Sequence, residues 1–234
     1  MLELKSILVK YGKTVAVRKL SLSVNEGGFI TILGANGAGK SSTLNAISGV
    51  VKIRGGEIDY KGEKINGLKP GEIAARGIIQ IPEGRRLFPL MTVEENLKMG
   101  AYLQNDKQRI KEAQEKVFSL FPVLKEKMHA KGRELSGGQQ QMAAIARGMM
   151  ALPEVLMFDE PSLGLSPLLR QQLAEKIKEI NRDGVTIILV EQNARLGLML
   201  ANYGYVLENG DLTLQGKTSD LMLDANVKKA YLGV

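Results

Sequence analysis

Residues Leu2 to Leu33 alternate apolar and polar positions in short runs, LELKSILV, TVAV, LSLSV and FITIL. A period of two predicts half-buried strands, and Tyr11-Gly12-Lys13 and Asn25-Glu26-Gly27-Gly28 supply the turns between them. After Gly34 a glycine-rich turn leads into an apolar helix, Lys40 to Ser48, and EIDYKGEKI predicts a further hairpin about Lys61-Gly62. From Thr92 to about Arg147 the period changes. Apolar residues fall at Ile110, Ala113, Val117 and Leu120 among many charges, which predicts a helical lobe. Beyond Val155 the order is strand (VLMFDE), helix (Pro167 to Ile180), strand (VTIILVE) and helix (Ala194 to Leu200). This βαβ alternation with continuously apolar strands predicts a buried parallel sheet. YGYVLENGDLTLQG then reads as a hairpin turning at Asn209-Gly210, followed by a short helical tail, and no internal repeat is evident.

Length and composition narrow the class. A chain of 234 residues fits one α/β core carrying smaller lobes, and 44% hydrophobic with 24% charged residues is the make-up of a folded globular protein. The absence of cysteine excludes disulfides, thiol chemistry and cysteine metal sites, and it fits a reducing compartment such as the cytoplasm. The N-terminus alternates instead of showing a basic patch and an apolar block, so no secretory signal is expected. Apolar stretches such as Val185 to Val190 fall far short of the roughly 18 residues that span a bilayer, so the chain is not expected to cross a membrane. A net charge of +7 admits phosphate-rich partners. Aromatics are only 5% and no Lys/Arg block stands out, so the charge reads as a solvated surface and no nucleic acid is expected.

Three motifs carry the chemistry. GANGAGKSS comprises Gly34, Ala35, Asn36, Gly37, Ala38, Gly39, Lys40, Ser41 and Ser42, matches GxxxxGK[ST], and lies between a predicted strand and a helix. Glycines there let backbone N–H groups face phosphate oxygens, the helix N-terminus adds its positive end, Lys40 serves the β- and γ-phosphates, and Ser41 is the expected Mg²⁺ ligand. A glycine turn without ligand is the plainer alternative, and the Lys-Ser ending argues against it. VLMFDE, Val155 to Glu160, is expected to neighbour the P-loop strand and to end with Asp159 at the Mg²⁺ and Glu160 polarising an attacking water. LSGGQ, Leu135 to Gln139, precedes the helix-forming QQMAAIARGMM, so Ser136, Gly137, Gly138 and Gln139 would present a second helix N-terminus to an anion.

The order GANGAGKSS, LSGGQ, VLMFDE in one chain resembles the ABC ATPases across essentially all 234 residues. The resemblance implies a P-loop NTPase (RecA-like) parallel-sheet core with an antiparallel β lobe and an inserted α-helical lobe, in a single ABC ATPase domain. The core would occupy residues 1–90 and 155–234 and the helical lobe about 91–154. It further implies that ATP and Mg²⁺ are bound, that LSGGQ closes over ATP held by another subunit in a head-to-tail dimer, and that Tyr11 stacks on adenine. Within that family IPEGRRLFPLMTVEENL (Ile81 to Leu97), VEQNA (Val190 to Ala194) and the terminal AYLGV look like the LivF-type ATPase subunits of branched-chain amino acid importers. Implied partners are two membrane permease subunits, a second related ATPase subunit or a second copy of the chain, and indirectly an extracytoplasmic substrate-binding protein. The location implied is peripheral, on the cytoplasmic face of the membrane.

Three positions depart from the general pattern. Glu83 stands at the usual γ-phosphate-sensing, metal-side Gln, Gln192 at the switch His, and Ser166 at the Asp that follows the Walker B region. A glutamine can hydrogen-bond γ-phosphate but carries no positive charge, so this chain's own ATP site is expected to be the weaker of an unequal pair. The single histidine, His129, lies outside the motifs and is expected on a surface helix. Other readings are an importer ATPase for another solute such as urea, a non-transport ABC ATPase acting on nucleic acid or ribosomes, and a P-loop kinase or small GTPase. The last leaves LSGGQ unexplained.

Overall fold

The computed structural model describes residues 1–232. Strands β1 (Leu2–Tyr11) and β2 (Thr14–Val24) form a long antiparallel hairpin, with TVAV and LSLSV joined in one strand across register shifts in the pairing. β4 (Gly55–Tyr60) pairs antiparallel with β1, and β5 (Glu63–Lys64) with β4, giving a four-stranded sheet of order β2-β1-β4-β5. The β4–β5 turn is at Lys61-Gly62, both at positive φ, as the sequence predicts.

The second sheet contains β3 (Phe29–Leu33), β6 (Ile78–Ile81), β7 (Val155–Asp159), β8 (Thr186–Glu191), β9 (Tyr203–Glu208) and β10 (Asp211–Lys217), in the order β10-β9-β3-β8-β7-β6. All pairs are parallel except the β9–β10 hairpin. One expectation is corrected here. β7 does not neighbour β3, because β8 lies between them and pairs with both. Every residue of β3, β7 and β8 is buried, the signature of a sheet covered on both faces. Alternate side chains divide between two cores. Val155, Met157, Ile188 and Val190 pack on the side of the antiparallel sheet, and Leu156, Phe158, Ile187 and Leu189 on the other.

α1 (Lys40–Ile47) follows β3, and α2 (Pro70–Ala75) precedes β6. Between β6 and β7 the chain is helical: α3 (Val93–Gly100), α4 (Lys107–Leu120), α5 (Pro122–Glu126) and α6 (Gly137–Met149). Ala113, Val117 and Leu120 are buried on α4, the expected stripe. Thr92 accepts from the Glu95 N–H while Glu95 accepts from the Thr92 N–H, a capping box worth about 1 kcal/mol at the start of α3. α3 crosses α6 so closely that a Cβ on Gly100 would lie 2.0 Å from the Arg147 carbonyl oxygen. α7 (Pro167–Arg182) and α8 (Ala194–Leu200) flank β8, and α9 (Thr218–Leu221) and α10 (Ala225–Val227) form the tail. Ser166, the departure after Walker B, serves as the N-cap of α7 by accepting from Leu169 N–H at 3.4 Å. His129 is exposed but lies in a turn after α5, not in a helix. The terminal AYLGV match extends beyond the described residues.

Candidate nucleotide site

The loop from β3 to α1 is bent by its glycines. Gly39 has φ 102°, and a Cβ there would approach the Ala16 carbonyl oxygen to 2.5 Å, so only glycine lets the loop close on β2. Gly39 caps α1 without any side-chain hydrogen bond, leaving the helix N-terminus to an external anion. A cavity of about 320 Å³ opens over this end, lined among others by Asn36, Gly37, Gly39, Lys40, Ser41 and Ser42. Glu83, Glu160 and Gln192, from three distant segments, complete its wall together with Leu163.

Inside it Lys40 and Glu160 are paired. Lys40, 4% exposed, donates to the carbonyls of Gly34 at 2.8 Å and Ala35 at 3.1 Å, and its Nζ is 3.0 Å from Glu160 Oε1. Ser41 Oγ donates to Asp159 Oδ1 at 2.8 Å, joining the ends of α1 and β7 even though β8 separates their strands. Burial pushes the Asp159 carboxyl up, and the charges of Glu160 and Glu83 add to this, while the Ser41 hydrogen bond and Lys40 oppose it. Three carboxylates thus face one ammonium. A hydroxyl and hard carboxylate oxygens in negative surplus fit a small divalent cation that keeps waters and phosphates as further ligands.

Glu160 has φ 47°, a left-handed conformation that a non-glycine residue adopts at a cost of about 1–2 kcal/mol. Its N–H donates to the Val190 carbonyl at 2.9 Å. Two residues on, Ser162 donates from its N–H and its hydroxyl to Glu191, which is 2% exposed. Burial pushes the Glu191 carboxyl up to about 7. Glu191 and Ser162 were not among the expected site residues. The only signal in the sequence is a charged last residue on the apolar strand VTIILVE.

The other expected residues stand apart from this cavity. Ser136 is the N-cap of α6, accepting from Gln139 N–H at 3.4 Å while Gln139 Oε1 accepts from Ser136 N–H at 3.0 Å. None of Ser136, Gly137, Gly138 and Gln139 lines the P-loop cavity. Tyr11, 46% exposed at the end of β1, does not line it either, and neither do Gly34, Ala35 and Ala38. Arg85, also unforeseen, reaches from the Glu83 loop to Gln140 Oε1 at 3.3 Å and lies against Gly137.

A strand, glycine loop and uncapped helix facing the carboxylates at the end of β7, one strand removed in the same parallel sheet, define a P-loop nucleotide-binding cassette. The family model described as ABC transporter matches residues 17–163. The high-affinity branched-chain amino acid transport ATP-binding protein BraG of Pseudomonas aeruginosa is 44% identical over the full length of both chains. The probable branched-chain amino acid transport ATP-binding protein LivF of Archaeoglobus fulgidus is 32% identical over 90% of this chain and 89% of its own. Among solved structures, the ADP conformation of an ABC transporter ATP-binding cassette superposes with a TM-score of 0.87 at 26% identity, covering 100% of this chain and 99% of that one. A dimeric bacterial ABC transporter cassette superposes with a TM-score of 0.83 at 26% identity, over 93% and 99%. The chain belongs to the ABC transporter family, as one of its ATP-binding, ATP-hydrolysing cassettes. Among the described residues no helix is long and apolar enough to cross a membrane.

Proposed function

We propose that this cassette hydrolyses ATP at the Lys40–Glu160 cavity to drive import of branched-chain amino acids through separate membrane subunits. The observation that carries the reading is the pairing of Lys40 with Glu160, beside the Ser41–Asp159 contact, in a chain 44% identical to BraG over its whole length. Incoming β- and γ-phosphates compete with Glu160 for Lys40, since the phosphate charge is larger and the uncapped α1 N-terminus draws it in. Released from the lysine, Glu160 accepts a proton from water as its oxygen attacks the γ-phosphorus and the bond to the ADP oxygen breaks. Ser41 and Asp159 would hold Mg²⁺, with Glu83 on the same side; bound there, it neutralises phosphate charge. Gln192 hydrogen-bonds the γ-phosphate, and Tyr11 stacks on adenine.

The whole chain acts as one cassette, with residues 91–154 as the lobe carrying LSGGQ to the nucleotide of a second cassette, either a related subunit or a second copy. Permease loops dock in the groove of about 500 Å³ between that lobe and the core, where Phe88, Met99, Tyr102 and Leu103 are exposed beside Gln80 and Arg86. The protein then sits at the cytoplasmic face of the membrane, and an extracytoplasmic binding protein selects the solute. The test is ATP turnover of the purified chain, alone and reconstituted with neighbouring-gene permeases and second ATPase. Low turnover alone that rises with these partners and with a leucine-loaded binding protein is expected. Full activity alone, or indifference to the amino acid, sinks the transport assignment.

A further inference from the structure

Strand β8 ends in a buried carboxylate for which the proposed hydrolytic step has no use. Both oxygens of Glu191 meet Ser162, Oε1 accepting from its N–H at 3.2 Å and Oε2 from its Oγ at 3.0 Å, and the Asn193 backbone N–H adds a further hydrogen bond. Immediately before it, the Val190 carbonyl accepts from Glu160 N–H at 2.9 Å. Two consecutive residues of one strand end therefore grip the turn on both sides of Pro161. That strand is a rigid anchor, fully buried and paired on both edges with β3 and β7. A left-handed Glu160 persists only where its surroundings hold it, and the β8 contacts act there together with Lys40 on its carboxylate and Leu163 N–H on its carbonyl. A carboxyl group kept in the interior is costly, and leucine would fill the same space without that cost. Glu191 also adjoins Gln192, which lines the P-loop cavity.

We infer that Glu191 is a positioning residue for ATP hydrolysis: by holding Ser162 it sets the Glu160 turn in the orientation that faces the γ-phosphate, and keeps that turn in register with Gln192. The inference rests on the reading of Glu160 as the group that accepts the proton from water. It predicts a defect in turnover without a defect in nucleotide binding, because Glu191 does not line the P-loop cavity and Lys40 leaves Glu160 for the phosphates when ATP binds.

The test is steady-state hydrolysis and ATP binding by the purified full chain, at concentrations where wild-type turnover is measurable. Misplacing a reacting group by about 1 Å costs on the order of 100-fold, so Glu191→Leu is expected to lower kcat by about that factor at unchanged KM and unchanged ATP affinity. Glu191→Gln keeps an acceptor for Ser162 N–H and an amide that reaches its hydroxyl, and is expected to restore most of kcat. Ser162→Ala removes one of the two bonds and should lower kcat by about 3- to 10-fold. Added to Glu191→Leu, Ser162→Ala should cost nothing further, since both act through one contact. Should Glu191→Leu fail to fold, Ser162→Ala decides: wild-type kcat in that variant overturns the inference. A loss of ATP affinity parallel to the loss of kcat overturns it as well, marking general damage. Glu160→Gln run beside them separates the two readings. Wild-type turnover there removes the proposed base, whereas a dead Glu160→Gln with active Glu191→Leu and Ser162→Ala sinks this inference alone.

Discussion

Lys40 and Asp159 are buried, and each is bonded to a residue distant in sequence, whereas Ser136 at the start of α6 is exposed and bonded to its own helix. Both regions are glycine-rich helix N-termini, yet they differ in what completes them. The P-loop end is left uncapped and is surrounded by three carboxylates and a lysine from the same chain. The LSGGQ end is capped by its own serine and glutamine, lies against Arg85, and does not line the P-loop cavity of its own chain. The first gathers side chains from distant segments of the same chain around a free helix end. The second is a helix end completed by its own side chains, with Ser136 exposed.

Variants of the two regions can break this contrast, and Lys40→Ala should have the largest effect. Lys40 is the one ammonium among the described residues that line the cavity, so ATP binding should weaken and hydrolysis fall below detection in a nucleotide-binding and phosphate-release assay. Glu160→Gln comes next: a general base contributes about 10²- to 10⁴-fold, so turnover should fall by at least about 100-fold while ATP still binds. Accumulation of an ATP-loaded dimer on gel filtration would accompany it. Ser136→Ala should leave ATP binding by the isolated chain unchanged, cost about 1 kcal/mol of stability as a lost N-cap, and depress turnover. Mixing Ser136→Ala with Lys40→Ala sharpens the contrast most directly. A head-to-tail dimer restores one complete site from the two defective chains, so hydrolysis should reappear, and no recovery would mean the two motifs serve the same nucleotide.

A smaller effect concerns pH. Burial pushes the carboxyl of folded Glu191 up to about 7, well above the ordinary range of a glutamate. The folded state therefore binds the proton more tightly than the unfolded chain does. Its contribution is complete below the unfolded value and is lost as pH rises through about 7, on the order of 1–3 kcal/mol. Urea titrations from about pH 5 to about pH 8 should show this decline in the wild type and a flatter profile in Glu191→Gln. The smallest expected change is Gln192→His. A histidine adds a group able to carry charge at the γ-phosphate, so single-site turnover should rise modestly, and an unchanged rate would remove the idea of an unequal site.

Local chemistry was legible without coordinates. The alternation of Leu2 to Leu33, the βαβ rhythm after Val155 and the glycine turns at Lys61-Gly62 and Asn209-Gly210 each report on neighbours in sequence, and the structure has strands, helices and turns there. GANGAGKSS likewise determined its own strand–loop–helix, because φ preferences and the helix N-terminus are properties of a short segment. Strand order was not determined in this way. Placing β8 between β3 and β7 depends on which buried faces pack together, and an apolar run pairs equally well with any other. The same limit hid Glu191 and Ser162, 29 residues apart in sequence and joined by two hydrogen bonds. Periodicity labels a residue as buried, but only the tertiary structure decides which polar group meets it inside. The tertiary structure also keeps LSGGQ away from the P-loop cavity of its own chain, since α6 is held by packing on α3 and the sheet and not by any feature of the motif.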